Sequence, residues 1–224
     1  MSTNRSRNRK RTPKALRAQK KRHNLVYGTI AVVVALAAVA AIVSQRDAGS
    51  SNTSSTPQTQ PVVVTGAALP TYTGDGTDPA IGKTIPTVAG RSFDGTPIVV
   101  ANDGKPKVLL FVAHWCPHCQ REVPLLAPDL RSHPLPKGVE MVTISTGVNA
   151  SAPNYPPSAW LARVHWPTPI MADDAQSDAA NALGLSAYPY FVFVDANNRV
   201  VARTSGEITL TQFRAYVAQL ATAA

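Results

Sequence analysis

The sequence predicts an α/β domain built on a mixed sheet with helices on both faces. Three observations carry that reading. An apolar run at 107–113 hands over to a helical segment and is followed by a β-branched strand at 139–145, a β-α-β unit. Two strands at 190–194 and 199–204 flank Ala196-Asn197-Asn198, an antiparallel hairpin. An amphipathic helix closes the chain at about 210–221. Parallel and antiparallel pairs together make the sheet mixed. A body of 66–224 can bury roughly 70% of its unfolded surface, so it needs no disulfide staples.

The chain has 224 residues and a net charge of +9. Residues 1–23 hold ten Lys or Arg and no acid, and the remaining twelve basic and thirteen acidic residues nearly cancel. The basic excess thus belongs to a tail, 1–24, and not to the body. A nucleic-acid partner is one reading of such a tail. The next segment favours a topogenic one. Residues 25–43 carry no charge, and as a helix would span roughly 28 Å, close to a bilayer core. Basic residues ahead of it place the N-terminus in the cytoplasm and the rest outside. Ala38, Ala40 and Ala41 leave room for a cleaved signal peptide. The length of the apolar run favours an uncleaved single-pass signal anchor in the cell membrane. Residues 44–65 are mostly polar and of low complexity, a flexible linker. Val62-Val63-Val64 within it has strand character.

In the body, Asp94-Gly95 between apolar arms signals a hairpin over 85–100. The helix after Cys116 bears Val123, Leu125, Leu126 and Leu130, with a kink expected at Pro124. Ser158 is expected to cap a short helix to Val164, residues 166–169 to be extended, and 173–183 to be helical with acids in its first turn. Thr209 with Gln212 resembles a capping box.

Cys116 and Cys119 are the only cysteines. Their C-x-x-C spacing at a strand-to-helix junction makes a redox dithiol. Cys116 falls just before the first helical turn, where unpaired N–H groups and the macrodipole favour a thiolate. It is the expected nucleophile, and Cys119, one turn further in, the resolving thiol. Pro117 suits the first helical position. His118 is placed to lower the Cys116 pKa, which would make the disulfide a stronger oxidant. A zinc site would need two further ligands, and His23, His114, His133 and His165 form no second paired motif. Gln120 after the second cysteine excludes a c-type haem site. No metal or other cofactor is expected beyond the Cys116–Cys119 disulfide itself.

Trp115-Cys116-Pro117-His118-Cys119, Glu122 and Pro124, and Tyr188-Pro189 before a strand resemble the thioredoxin superfamily, and more narrowly the membrane-anchored TlpA/ResA-like thiol-disulfide oxidoreductases. The 73 positions from Cys116 to Pro189 are similar to that pattern. The resemblance covers about 80–222. It implies a thioredoxin-like fold, a cis Pro189 facing Cys116, Trp115 and Tyr188 at the substrate surface, and Glu122 assisting proton transfer. It also implies disulfide- or thiol-bearing protein substrates and a membrane redox partner, DsbD/CcdA-like or quinone-linked. Leu110 stands where thioredoxin has a buried aspartate. The Pro117-His118 dipeptide is that of oxidising DsbA-like proteins, whereas the frame is that of reductases, with cytochrome c maturation as one outlet. Direction therefore stays open between reductase and disulfide donor. A copper or metal chaperone on the same fold, ligated by the two cysteines and a histidine, is a further alternative.

Overall fold

The computed structural model describes residues 56–222. The expected basic tail, the apolar run at 25–43 and the linker as far as residue 55 lie outside the described residues. Among the described residues no helix is long and apolar enough to cross a membrane.

Eight strands form one sheet: β1 (Val63–Thr65), β2 (Thr87–Arg91), β3 (Pro97–Val100), β4 (Lys107–Val112), β5 (Glu140–Ser145), β6 (Ile170–Ala172), β7 (Tyr190–Val194) and β8 (Val200–Ser205). Among the described residues four helices pack on it: α1 (Pro117–Ser132), α2 (Pro157–Arg163), α3 (Asp178–Ala182) and α4 (Leu210–Thr222). The strand order is β1-β2-β6-β5-β4-β7-β8, with β3 paired to β2. β4 pairs parallel with β5 and antiparallel with β7. The sheet is mixed, as expected, and β4 lies at its centre with every residue buried.

Alternation along β4 divides the core in two. Val108, Leu110 and Val112 face the layer containing Val123 and Leu126 of α1, Trp160 and Leu161 of α2, and Phe213 and Val217 of α4. Leu109 and Phe111 face Leu183, Tyr190, Val192 and the N-terminal segment through Leu69, Ala80 and Ile85.

Several boundaries differ from the expectation. β1 pairs with β2, and Gln58 Oε1 accepts the Ser158 N–H at 3.0 Å, so order begins inside the segment assigned as linker and ahead of residue 66. Ser158 is therefore not the cap of α2; Pro156 occupies that position and Pro157 opens the helix. A strand, β6, follows the extended prolines at 167 and 169; three residues are too few to show alternation. α3 is shorter than 173–183. Asp173 sits ahead of it, fully buried, and its carboxylate accepts the N–H groups of Asp174, Ala179 and Ala180. α1 is one helix through both Pro124 and Pro128. The capping box is present: Gln212 N–H donates to Thr209 Oγ1 at 3.1 Å, and Thr209 N–H to Gln212 Oε1 at 2.9 Å.

Candidate active site

β4 runs between parallel β5 and antiparallel β7, and the dithiol follows its C-terminal end. The chain turns there through Ala113, whose carbonyl accepts the Cys116 N–H at 3.0 Å, and α1 starts with Cys116 as its N-cap and Pro117 in its first turn. Cys116 therefore meets the positive end of a 16-residue helix. Cys116 is 5% exposed and Cys119 fully enclosed. Burial drives the Cys119 pKa far above the ordinary thiol value. The two sulfurs thus differ in access, as the spacing anticipates.

The Tyr188–Pro189 bond is cis, as the resemblance implies. It brings the Tyr188 carbonyl to the dithiol, where the Cys116 thiol donates to it at 3.8 Å. Trp115 and Tyr188 meet edge to face at 5.7 Å. Trp115 Nε1–H donates to the Gly147 carbonyl at 2.7 Å. Gly147 has φ +61, and a Cβ there would lie 2.8 Å from Tyr188 Oη, so only glycine lets the loop after β5 close on the site.

Glu122 lies three residues after Cys119 on the same inward face of α1, and is 3% exposed. It is not a solvated helix residue. One carboxylate oxygen, Oε2, accepts the Ile208 N–H at 3.1 Å. The other, Oε1, has no hydrogen-bond partner among the described residues. Burial lifts its pKa to about 7, opposed by the Ile208 bond.

His118 turns outward. Its Nδ1 lies 2.6 Å from Glu207 Oε1 and 2.9 Å from Arg121 Nη2, and Arg121 itself binds Glu207 through Nε at 3.0 Å and Nη2 at 2.5 Å. Reading the sequence missed both Arg121 and Glu207. Nothing in their local sequence separates them from solvated charges; only the fold sets residue 207 against the first turn of α1.

His114 is equally unannounced. It is fully buried, Nδ1–H donating to the Pro153 carbonyl at 2.8 Å and Nε2 accepting the Asn149 N–H at 3.2 Å. Those two bonds fix the neutral tautomer and leave neither nitrogen for a ligand. Among the described residues, no group of three or more His, Cys, Asp or Glu is arranged to hold a metal ion.

A helix-capping dithiol faced by a cis-proline loop, with both thiols buried and Cys119 the more enclosed, defines a thiol-disulfide oxidoreductase of thioredoxin-like fold. The chain belongs to the Redoxin family, which matches residues 80–220, more than half of its length. It is 33% identical over 75 residues to the methylamine utilization protein MauD of Methylobacillus flagellatus, covering 32% of this chain and 35% of that protein, so the match spans about a third of MauD. It is 29% identical over 103 residues to tryparedoxin of Trypanosoma brucei brucei, covering 45% of this chain and 68% of that protein. Among solved structures, a thiol:disulfide interchange protein from Chlorobium tepidum superposes with TM-score 0.52 at 22% identity, over 65% of this chain and 98% of that one. StoA from Bacillus subtilis superposes with TM-score 0.50 at 20% identity, over 62% and 98%. These two likenesses show the fold.

Proposed function

We propose that this protein is a membrane-anchored, extracytoplasmic thiol-disulfide oxidoreductase that reduces disulfides in protein substrates. The observation that carries the exchange chemistry is the buried, protonatable Glu122 beside an enclosed Cys119, and the reductive direction rests on the TlpA/ResA-like frame of the dithiol. In the reductive cycle the Cys116 thiolate attacks one sulfur of a substrate disulfide. A Cys116–substrate disulfide forms, the substrate S–S bond breaks, and the departing thiolate takes a proton from solvent, matching the one Cys116 released on ionising. Glu122, as carboxylate, then takes the Cys119 proton. The Cys119 thiolate attacks Cys116 Sγ and expels the second substrate thiolate, which takes the proton from Glu122, leaving the Cys116–Cys119 disulfide. Two electrons and two protons have passed to the substrate. Cys119 cannot ionise unaided because burial raises its pKa so far, and a nearby carboxyl poised near neutrality supplies the base.

The Tyr188 carbonyl beside Cys116 offers a backbone acceptor for an extended substrate segment, with Trp115 and Tyr188 as its apolar walls. Residues 25–43 serve as the anchor, which places the domain outside the cytoplasmic membrane. Electrons then come from a membrane dithiol carrier of the DsbD/CcdA kind or a quinone-linked protein. Apocytochrome c thiols are one class of product. Disulfide donation is the second reading, favoured by the Pro117-His118 dipeptide and by the Arg121 cation one turn into α1 from Cys116.

The reduction potential of the full-length chain, equilibrated with glutathione or dithiothreitol buffers, tests the direction. A value at or below about −250 mV supports the reductase; a value of about −120 to −180 mV assigns it to disulfide donation or shuffling. Labelling Cys116 with a membrane-impermeant thiol reagent in intact cells tests the placement. Labelling is expected, and protection until the cells are lysed would overturn it.

A further inference from the structure

Three consecutive residues between β8 and α4 touch three separate parts of the dithiol site. The Gly206 N–H donates to the Pro189 carbonyl at 2.8 Å. The Glu207 carboxylate pairs with His118 and Arg121. The Ile208 N–H donates to the buried Glu122 Oε2 at 3.1 Å. The two outer residues act through the backbone, so side-chain substitution leaves those bonds available. Only Glu207 brings a charge.

We propose that Glu207 is a positioning residue that holds His118 and Arg121 over the start of α1, and that its negative charge offsets the charge of Arg121 at the Cys116 sulfur. It thereby lowers the reduction potential of the couple. The proposal rests on Cys116 being the attacking thiol. A cation near Cys116 stabilises its thiolate, and since the thiolate exists only in the reduced form, that favours reduction of the disulfide. A carboxylate bound to the same cation removes part of this effect. Arg121 lies little more than one turn into the helix that Cys116 caps, and it is held above the ordinary guanidinium value, first by its bond to Glu207. The charged or titratable groups around Cys116 are thus His118, Arg121, Cys119 and Glu122 on α1, Tyr188 from the cis-proline loop, and Glu207 from the β8–α4 loop. Glu207 and Arg121 are the pair of opposite sign that faces solvent.

The test measures the dithiol–disulfide equilibrium of the full-length chain against glutathione, in wild type, Glu207→Gln, Arg121→Gln and the double variant. Glu207→Gln is expected to shift the equilibrium about threefold toward the dithiol, an amount in keeping with exposed charge pairs. It also lowers the pH at which Cys116 thiolate absorbance appears. Arg121→Gln is expected to shift the equilibrium in the opposite sense by a similar factor, and the double variant to return near wild type. Raising the salt to about 1 M shrinks all of these shifts. A merely structural role would move both single variants in the same direction. That result, or no shift in Glu207→Gln, overturns the proposal. If Cys116→Ser loses exchange while Glu207→Gln leaves the equilibrium unmoved, this inference alone falls. If Cys116→Ser retains exchange, the assignment of Cys116 falls instead.

Discussion

Two buried charged side chains lie on opposite faces of the sheet and are treated in opposite ways. Arg203 of β8 is enclosed on the face of Leu183 and Tyr190 and fully partnered. Nε donates to Asp78 Oδ2 at 2.8 Å, Nη2 to Asp78 Oδ1, and Nη1 to the Pro70 carbonyl at 2.8 Å and Tyr190 Oη at 3.1 Å, while the guanidinium lies over the Tyr72 ring. Glu122 on the other face has one N–H and an orphaned oxygen. A satisfied buried charge ties segments together and cannot easily change state. An under-satisfied one costs stability, and it is free to gain a proton. The first is architecture. The second lies next to the enclosed sulfur.

Breaking Arg203 gives the largest expected effect. Arg203→Met strands Asp78 and loosens the segment around Pro70 and Tyr72, and should cost about 3–5 kcal/mol in denaturant unfolding. It should leave the reduction potential unchanged, because the network is on the face away from the dithiol.

The pH dependence of stability separates the two groups by sign. The Asp78 carboxyl is held low, first by its hydrogen bond to Arg203, so its contribution is present above the ordinary carboxylate pKa and is lost as pH falls through the lowered one. Burial raises Glu122 to about 7, so its contribution is present below the ordinary value and is lost as pH rises through about 7. Wild-type stability should fall by on the order of 2 kcal/mol from pH 5 to pH 8 on account of Glu122, and Glu122→Gln should flatten that slope. The same variant should slow the Cys119 resolution step about 10-fold or more, read as an accumulating mixed disulfide.

His114 extends the comparison to a satisfied neutral group. His114→Ala strands the Pro153 carbonyl and the Asn149 N–H, and should cost about 1–3 kcal/mol by thermal or chemical unfolding. The smallest effect is at a surface cap: Thr209→Ala removes half of the capping box and should cost about 1 kcal/mol with exchange activity intact.

The central strand, the Asp94-Gly95 and Asn197-Asn198 hairpins, the capping box and the dithiol were legible because each is written within a few neighbouring residues. Cys116, Cys119, Tyr188 and Pro189 were legible as a site because the resemblance joins two segments that are 73 positions apart. β6 was not, since a three-residue strand after prolines has no periodicity to read. Asp173 was read as an acid in the first turn of a helix, whereas its carboxylate caps that helix from a buried loop. Glu122 was legible by position and not by burial. Arg121, Glu207 and His114 were invisible because their roles rest on contacts 86, 89 and 35 to 39 positions away in the chain. The cis bond at Tyr155–Pro156, beside the same loop, was equally unmarked.

The most direct measurement of the dithiol account is mixed-disulfide trapping with Cys119→Ser and Cys116→Ser versions of the full-length chain, each offered a disulfide-bonded protein and resolved without reductant. Cys119→Ser should accumulate a covalent adduct that dithiothreitol releases, and Cys116→Ser should form none. An adduct on Cys116→Ser equal to that on Cys119→Ser, or none on Cys119→Ser, would contradict the assignment of attack to Cys116 and resolution to the more enclosed Cys119.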